Sequence, residues 1–308
     1  MILIISEKND KHADRVESIL QENDAAYSRL NLDNYSLKST EIKFEDNVFR
    51  IEGPNCSFST NEIEAVWNRS AHIEQFIEDN CPQNADNLLW KERWNKTLGN
   101  LISLLESTKW LNFYPDFYAE NQFRQYAISK NIGLKWPSYI CSNDINYLNS
   151  FFEVKKERVQ RLMDQDCKLK SAGDCIEKCG DKVGKAMRNE MPENNCLIAN
   201  ASYQVRCTVV GNEYFVGKIK TNTNCEGQNI DEFHPNNKVV QPPEQIKMKA
   251  IEIMNELNLT HGVFDFNVTD KGEWFFDALN PIGKYLWVED MQNSDISSSI
   301  AKWLMINN

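Results

Sequence analysis

The chain has 308 residues, of which 41% are hydrophobic and 26% are charged, with 34 basic and 45 acidic side chains. This length suits about two domains and allows a sizeable buried core. A net charge of −11 argues against a general binder of nucleic acid or anionic membranes, because such proteins present a basic face. No apolar run approaches the ~18 residues of a membrane span, and the N-terminus MILIISEKND does not resemble a signal peptide. We therefore expect a cytoplasmic protein.

The N-terminal part of the sequence alternates strand and helix patterns. Residues 1–6, MILIIS, form an apolar run that predicts a buried parallel strand, and residues 12–21 carry apolar side chains at helical spacing. Further elements are predicted as strands at 27–32 and 62–69, a hairpin pair at 42–51 and 56–59, and an amphipathic helix at 88–105. A strand-helix-strand succession favours a parallel sheet, so we expect an α/β domain over residues 1–109.

The next unit, residues 110–200, is predicted to be a linker helix followed by a divergent central domain. Residues 119–131 have a helical pattern, whereas the charge-rich segment 151–191 has no clean strand period. We expect a helix at 155–163 and irregular structure in the remainder of that segment.

Two hairpins dominate the last unit, residues 201–308. The segments YQVRCTVVG and NEYFVGKIKT are joined by Gly211 and Asn212, and GVFDFNVTDKGEWFFDALN turns at residues 270–272. Helical patterns occupy residues 245–257 and 294–305. We therefore expect an antiparallel sheet with helices.

Nine cysteines are present, and an odd count favours reduced thiols over a disulfide framework. The only cluster comprises Cys167, Cys175, Cys179 and Cys196. Its closest pair is C-x3-C, whereas zinc sites favour tighter pairs. A cysteine-metal module therefore remains a minor alternative to incidental cysteines.

Five segments of the sequence are similar to motifs of one enzyme family. They are MILIISEKNDKHADRV, AVWNRSAHI, LNFYPDFYAENQFRQYAISKNIGLKWPSYICSND, YQVRCTVVGNEYFVGKIKT and GVFDFNVTDKGEWFFDALNPIGKYLWVED. In this order and with near-matching spacing, they resemble the ATP-grasp ligases that mature ribosomal peptides, the microviridin or graspetide group. The resemblance implies an α/β (α+β) fold of ATP-grasp type, with an N-terminal parallel-sheet domain, a central domain and a C-terminal antiparallel-sheet domain.

The resemblance also implies a reaction. Ligases of this group use ATP and Mg²⁺ to activate a side-chain carboxylate of a precursor peptide, which a lysine amine or a serine or threonine hydroxyl then attacks. Such phosphoryl transfer depends on positioned positive charge and on oxygen ligands for magnesium.

The same resemblance assigns roles to single residues. Arg206 matches the catalytic arginine of the central strand, while Lys218 and Arg69 match residues on the cofactor side. Asp265 and Asn280 match metal ligands. Each has an ordinary alternative: a surface or strand-end cation in a salt bridge, a polar residue on a half-exposed strand, or a turn asparagine before proline.

Several family features are missing from the sequence. Gln122 replaces a nucleotide-binding lysine, and Ala278 replaces a metal-binding glutamate. Asp277 comes one residue too early, which places it on the opposite face of a regular strand, although a β-bulge would bring it back. The family's glycine-rich phosphate cover is not recognisable between residues 151 and 200, where other lysines would have to replace it: Lys168, Lys170 or Lys182.

These losses lead to two main hypotheses, because a triphosphate brings about four negative charges that must be offset. The first is an ATP-grasp protein with an impaired ATP and Mg²⁺ site, which needs no cofactor. It would bind a precursor peptide, or partner an active paralogue or a second copy of itself. The alternative is an active ligase that uses ATP and Mg²⁺ and forms side-chain amide or ester crosslinks.

The central hairpin is the predicted peptide-binding surface, because the graspetide ligases hold a helical leader peptide there. Its strand faces are expected to expose Tyr203, Val205, Tyr214 and Val216. The alternative is that these residues pack against the rest of their domain.

Overall fold

The computed structural model describes residues 1–69, 85–113, 117–142, 144, 147, 159–160, 193–197, 201–220 and 239–306. Within these ranges, only the backbone is described for residues 85, 117–118, 138–140, 159–160, 193–197, 201 and 218–220.

A four-stranded parallel sheet lies in the N-terminal part of the chain. Its strands are β1 (Ile2–Ser6), β2 (Tyr27–Asn31), β6 (Ala65–Asn68) and β7 (Lys109–Trp110), in the order β2-β1-β6-β7. Helix α1 (Lys11–Glu22) connects the first two strands. Leu3 and Ile5 pack on one side of the sheet, and Ile2 and Ile4 pack on the other. Burial of both faces explains the continuous apolar run at the N-terminus.

Beside this sheet lies a small antiparallel sheet of β3 (Glu41–Glu45), β4 (Val48–Gly53) and β5 (Cys56–Ser59). Asp46 and Asn47 both have positive φ, 52° and 62°, as a two-residue hairpin turn requires. They divide the predicted stretch 42–51 into two strands. The short helix α2 (Asn34–Lys38) precedes this sheet, and helix α3 (Ala85–Leu104) follows it.

The helix predicted at 119–131 is broken into α4 (Phe117–Glu120) and α5 (Gln122–Asn131). Asn121 causes the break, because it adopts an extended backbone conformation and its Oδ1 accepts a hydrogen bond from the backbone N–H of Arg124 at 3.0 Å. This is an N-cap, which starts a new helix.

A second small antiparallel sheet has the order β8-β10-β9, formed by Ser138–Ser142 (β8), Val159–Gln160 (β9) and Glu193–Leu197 (β10). The helix predicted at 155–163 is therefore wrong at residues 159–160, where pairing with β10 prevails over the local helical pattern. The remainder of that prediction lies outside the described residues, as do Cys167, Cys175, Cys179, Lys168, Lys170 and Lys182.

The C-terminal antiparallel sheet has the order β12-β11-β13-β14, and its strands are Ala201–Val210 (β11), Glu213–Lys220 (β12), His261–Thr269 (β13) and Trp274–Asn280 (β14). One face packs Val205, Phe264, Phe266 and Phe276 against α5 and α6 (Glu244–Glu256). Tight turns at Gly211 (φ 57°) and Gly272 (φ 77°) close the two predicted hairpins.

The last two helices, α7 (Leu286–Gln292) and α8 (Ile296–Met305), connect the N-terminal and C-terminal domains. Ile300 of α8 shares a core with Val16 and Leu20 of α1 and with Val210 and Val263 of the C-terminal sheet. Lys109 donates to the carbonyls of Trp303 and Ile306 at 2.7 and 2.6 Å.

The predicted α/β architecture, with a parallel N-terminal sheet and antiparallel sheets elsewhere, is confirmed. The boundaries 1–109, 110–200 and 201–308 remain predictions. No described helix combines the length and apolar character that a membrane span requires.

Candidate functional site

Arg206 and Asp265 face each other across neighbouring strands, because they are register partners in β11 and β13. Arg206 Nε and Nη2 donate to the two carboxylate oxygens of Asp265, both at 2.8 Å. Their side chains are 9% and 19% exposed, so the ion pair is largely withdrawn from water. The residue predicted to act on the transferring phosphoryl group and the residue predicted to bind metal thus neutralise each other.

Arg69 forms a second paired site at the end of β6. Its Nε donates to Asp10 Oδ2 at 2.9 Å, and its Nη2 is 3.5 Å from Asp10 Oδ1. Asp10 also caps α1, since its Oδ1 accepts hydrogen bonds from the backbone N–H groups of His12 and Ala13. Burial raises the pKa of Asp10, but the Arg69 guanidinium outweighs it and, with the cap, lowers the pKa to about 2.

Both arginines hold the loop that follows β14. Arg69 Nη1 donates to the carbonyl of Ile282 at 3.0 Å, and Arg206 Nη1 donates to the carbonyl of Lys284 at 3.3 Å. Within the loop, Asn280 Oδ1 accepts a hydrogen bond from the backbone N–H of Ile282 at 2.9 Å. Asn280 therefore serves as a turn residue in this structure, and its metal role remains a prediction.

Gly283 lets this loop approach β13. A Cβ at this position would lie 2.6 Å from the Cβ of Val263, closer than carbon atoms can pack. Gly283 is thus required for contact between the loop and the sheet.

A β-bulge in β14 changes the position of Asp277. The register pairs Asp265 with Ala278 and Phe266 with Phe276, so Asp277 is the extra residue between two pairs. The charge of Asp265 and the amide of Asn267 both influence the ionisation of its carboxylate. These two side chains project from one side of β13. The face expected from strict alternation is therefore wrong for Asp277, because a bulge reorients the side chain.

The Asp277 environment is dry and acidic. Burial, followed by the negative charge of Asp265, raises the pKa of Asp277 to about 7, although the Asn267 amide favours the ionised form. Asn267 is nevertheless outside hydrogen-bonding geometry, since both its amide atoms and Asp277 Oδ1 are buried without a partner.

This acidic environment can be compared with what magnesium needs. No group of three His, Cys, Asp or Glu side chains able to hold a metal occurs among the described residues. Two carboxylates and an amide oxygen would supply enough protein ligands, because Mg²⁺ keeps several waters, but both oxygens of Asp265 already accept hydrogen bonds from Arg206.

Lys218 is placed in β12 opposite Val205, next to Gly217, the register partner of Arg206. Only its backbone is described, so its predicted role on the cofactor side remains a prediction.

The predicted peptide-binding residues lie against the core. Val205 and Val216 are 0% and 3% exposed and pack with residues of α5 and α6. Tyr203 and Tyr214 are partly buried against the same cluster. The expectation of exposed side chains is thus wrong for Val205 and Val216, because α6 covers this face of the hairpin, and Val216 is not available to a peptide.

Two buried amides that the sequence did not single out bracket Asn280. Asn112 Nδ2 donates to the carbonyls of His261 and Pro281 at 2.9 and 3.1 Å, and its Oδ1 accepts from two backbone N–H groups of β13 and the preceding turn. Gln125 Nε2 donates to the carbonyl of Leu279 at 2.7 Å, and its Oε1 accepts from the N–H of the same residue at 3.0 Å. In the sequence, only their position as polar residues in otherwise apolar stretches could have indicated these two amides.

Two neutral histidines flank Tyr285 at the junction of the domains. The ring of His12 lies 4.5 Å from that of Tyr285, and the ring of His261 lies 5.9 Å from it. Burial, followed by the charge of Arg69, lowers the pKa of His12 to about 3. Burial also lowers the pKa of His261 to about 4, although its hydrogen bond to Pro281 opposes this shift.

Comparisons with known proteins show what the chain is similar to. Residues 1–117 match the family model of the MvdD pre-ATP grasp domain. No curated protein matches the sequence significantly.

Solved structures match over nearly the full length of the chain. The macrocyclase MdnB from Microcystis aeruginosa is 20% identical with a TM-score of 0.80, and the match covers 99% of both chains. MdnC from the same organism, bound with the precursor peptide MdnA, is 18% identical with a TM-score of 0.80, covering 99% of this chain and 100% of MdnC. A Chryseobacterium gregarium RiPP-associated ATP-grasp ligase, in complex with ADP and a leader and core peptide, is 20% identical with a TM-score of 0.73. That match covers 98% of this chain and 96% of the ligase.

These matches confirm the predicted ATP-grasp fold. They also support the resemblance to ATP-grasp peptide maturases on which the sequence-based site assignments depend.

Proposed function

We propose that this chain takes part in the maturation of a ribosomally synthesised peptide, and that it binds the precursor peptide with an impaired ATP and Mg²⁺ site. The maturation role is supported by the pre-ATP-grasp match over residues 1–117. It is also supported by the fold shared with the macrocyclase MdnC and with a RiPP-associated ATP-grasp ligase, both described in complex with peptides.

The main support for an impaired site is the ion pair of Arg206 with Asp265, in which both contacts are 2.8 Å long. Triphosphate and Mg²⁺ need free positive charge and free carboxylate oxygens. In this arrangement the arginine and the carboxylate satisfy each other. Releasing either one exposes a partly buried charge, which costs several kcal/mol (about 3–5 when one partner of a buried pair is lost).

The position of Gln122 supports the same proposal. It is the first residue of α5 and stands where the family places a nucleotide-binding lysine. A neutral amide there leaves the phosphates with one positive charge fewer, and Ala278 leaves Mg²⁺ with one carboxylate fewer.

Isothermal titration calorimetry of the full chain tests this proposal. ATP with MgCl₂ is expected to bind no tighter than about 1 mM, corresponding to about −4 kcal/mol. The precursor peptide encoded beside the gene is expected to bind with or without nucleotide. Micromolar ATP binding together with ADP release on adding the peptide would contradict the impaired site.

A charge-restoring variant sharpens that experiment. Ala278→Glu with Gln122→Lys supplies a carboxylate and a cation, each worth about 1–3 kcal/mol in a partly buried site, and is expected to improve ATP binding. The control, Ser18→Glu with Gln21→Lys, makes the same charge changes on the exposed side of α1 and should leave ATP binding unchanged.

A second candidate function is that of an active ligase forming amide or ester crosslinks with ATP and Mg²⁺. The β-bulge favours it, because Asp277 supplies a carboxylate beside Asp265 despite the loss at position 278. Co-expression with the precursor peptide and mass spectrometry test this candidate, since each crosslink removes one water. Crosslinks that persist in Asp277→Asn would mean that this carboxylate is not used.

Partner and location complete the proposal. We propose either an active paralogue or a second copy of this chain as protein partner, which light scattering of the purified proteins, alone and mixed, would distinguish. We place the protein in the cytoplasm, because an odd count of nine cysteines suits a reducing compartment.

A further inference from the structure

Strand β3 (Glu41–Glu45) is an open edge of the small antiparallel sheet. The sheet has the order β3-β4-β5, and among the described residues no strand pairs with the outer side of β3. Four of its five residues are exposed. Such an edge presents unpaired backbone groups, with which a strand of another chain can pair.

The turn of the hairpin determines which backbone groups lie on that edge. The two-residue turn closes on the pair of Glu45 with Val48, which exchanges hydrogen bonds across the hairpin. Because hydrogen-bonded pairs alternate along the ladder, Ile42 and Phe44 direct their N–H and C=O groups outward. Those groups have no backbone partner among the described residues.

Phe44 is a large apolar side chain that reaches solvent at this edge. It is 53% exposed, and its ring lies 4.7 Å from that of Phe49, which belongs to the core under this face of the sheet. Ile42, on the same face as Phe44, is only partly buried against that core. Incompletely covered apolar side chains therefore accompany the free backbone groups.

The opposite face of β3 carries charges that lack opposite partners within the hairpin. Lys43 is the register partner of Arg50, and Glu41 is that of Glu52, so like charges lie directly across the hairpin, which is unfavourable. Neither Lys43 nor Glu45 forms an ion pair within the part of the chain that the structure describes. A neighbouring strand that offers the reversed order of charges would compensate both side chains.

We propose that β3 pairs with β3 of a second copy of this chain, in an antiparallel arrangement centred on Phe44. A two-fold axis there sets Phe44 opposite its own copy and sets Lys43 of each chain opposite Glu45 of the other. One face of the joined sheet then gains two opposite-charge pairs, and the other face brings two phenyl rings together. The outward N–H and C=O of Phe44 bind the same groups of its copy, which joins the two small sheets into one of six strands.

Charge and backbone hydrogen bonding select this register over its neighbours. A centre at Lys43 sets lysine opposite lysine and glutamate opposite glutamate, which is repulsive. A centre at Ile42 also pairs opposite charges, but it sets Phe44 opposite Thr40, whose N–H is already bound within the chain. The centre at Phe44 satisfies both requirements.

Such a dimer rests on the second-copy alternative of the proposed function, but it requires neither nucleotide nor peptide. One strand pair buries less surface than the roughly 800 Å² per partner of a standard interface. We therefore expect a weak dimer that dissociates on dilution.

Sedimentation velocity of the full chain over a concentration series tests this interface. The wild type should change from monomer to dimer as its concentration rises. Lys43→Glu sets glutamate opposite glutamate at both pairs, and Glu45→Lys sets lysine opposite lysine, so each should weaken the dimer about tenfold or more. Lys271→Glu, the same charge change in the exposed turn of another hairpin, should leave the dimer unchanged.

Mixing the two charge variants makes the test decisive. In a mixed dimer the two substituted positions form one opposite-charge pair, and the unchanged Lys43 and Glu45 form the other. The mixture should therefore dimerise about as tightly as the wild type, although neither variant does so alone. Such recovery also shows that both variants are folded.

Three results overturn the proposed interface: a wild type that stays monomeric throughout the series, a Lys43→Glu variant that dimerises as tightly as the wild type, or a mixture that stays monomeric. A monomer that still binds the precursor peptide in calorimetry refutes this interface and leaves the proposed function intact. A dimer with the expected charge dependence that binds no peptide does the reverse.

Discussion

Arg69 follows a strand of the N-terminal parallel sheet and Arg206 lies in the C-terminal antiparallel sheet, yet both donate to carbonyls of one short loop, those of Ile282 and Lys284. Each arginine also pairs with a carboxylate of its own domain, Asp10 or Asp265. The loop is therefore fixed from both sides. Side chains that the family resemblance assigns to nucleotide chemistry also hold the two sheets together.

Replacement of Arg69 is expected to destabilise the whole protein. Arg69→Met leaves Asp10 buried without its cation and should lower the free energy of unfolding by about 3 kcal/mol. Urea denaturation followed by circular dichroism measures this loss. Lys135→Met is the control, because Lys135 and its partner Glu273 are both well exposed, at 56% and 42%, and the change should cost below about 1 kcal/mol. Equal losses in both variants would contradict a special role for the buried pair.

The pair of Arg206 and Asp265 lends itself to a double-mutant cycle. Arg206→Met and Asp265→Leu should each destabilise, because each leaves one charge without its partner. The double variant should be less destabilised than the sum of the two by about 1–3 kcal/mol. Urea unfolding of the four proteins gives the coupling, and additive effects would mean that the pair contributes no net interaction.

Asp277→Asn is expected to change how stability depends on pH. Burial and the charge of Asp265 raise the pKa of Asp277 to about 7 from an ordinary 3.8. The folded wild type therefore holds a proton that the unfolded chain releases, and it loses stability as pH rises from about 4 to about 7. In metal-free buffer, the advantage of Asp277→Asn over the wild type should grow across this range and then stay constant. An unchanged difference from pH 4 to 8 would contradict the raised pKa.

The histidines beside Tyr285 should act in the opposite direction. His12 and His261 have pKa values lowered to about 3 and about 4 from an ordinary 6.5. The unfolded chain thus takes up protons first, and stability present above pH 6.5 is lost as pH falls toward these values. His12→Phe keeps an aromatic ring against Tyr285, so it should lose less stability between pH 6.5 and 4 than the wild type. Thermal unfolding at several pH values measures this, and identical profiles would exclude His12 as a contributor.

Elements governed by local patterns were predictable from the sequence. The strand Ile2–Ser6, the helix Lys11–Glu22 and both C-terminal hairpins follow periodicity and turn chemistry. The short helix Leu286–Gln292 was missed because it continues directly from the loop that follows β14. The break at Asn121 arises because its side chain caps a helix. The helical pattern of apolar residues does not reveal such a cap.

The candidate site was predictable only in part. Resemblance identified Arg206 and Asp265 but not their pairing, because register between distant strands decides which side chains meet. The sequence allowed a β-bulge at Asp277, but only pairing with the partner strand determines whether the bulge forms. Asn112 and Gln125 act through backbone groups far away in sequence, so no local pattern indicates them.

The last helix also has a consequence for biosynthesis. Helix α8 covers apolar side chains of α1, and Lys109 binds carbonyls at its end. The N-terminal domain, although translated first, cannot complete its core until residue 300 has left the ribosome. Such distant contacts slow folding and expose apolar surface in the meantime. We expect the nascent N-terminal domain to depend on chaperones or on late docking of its own C-terminal helix.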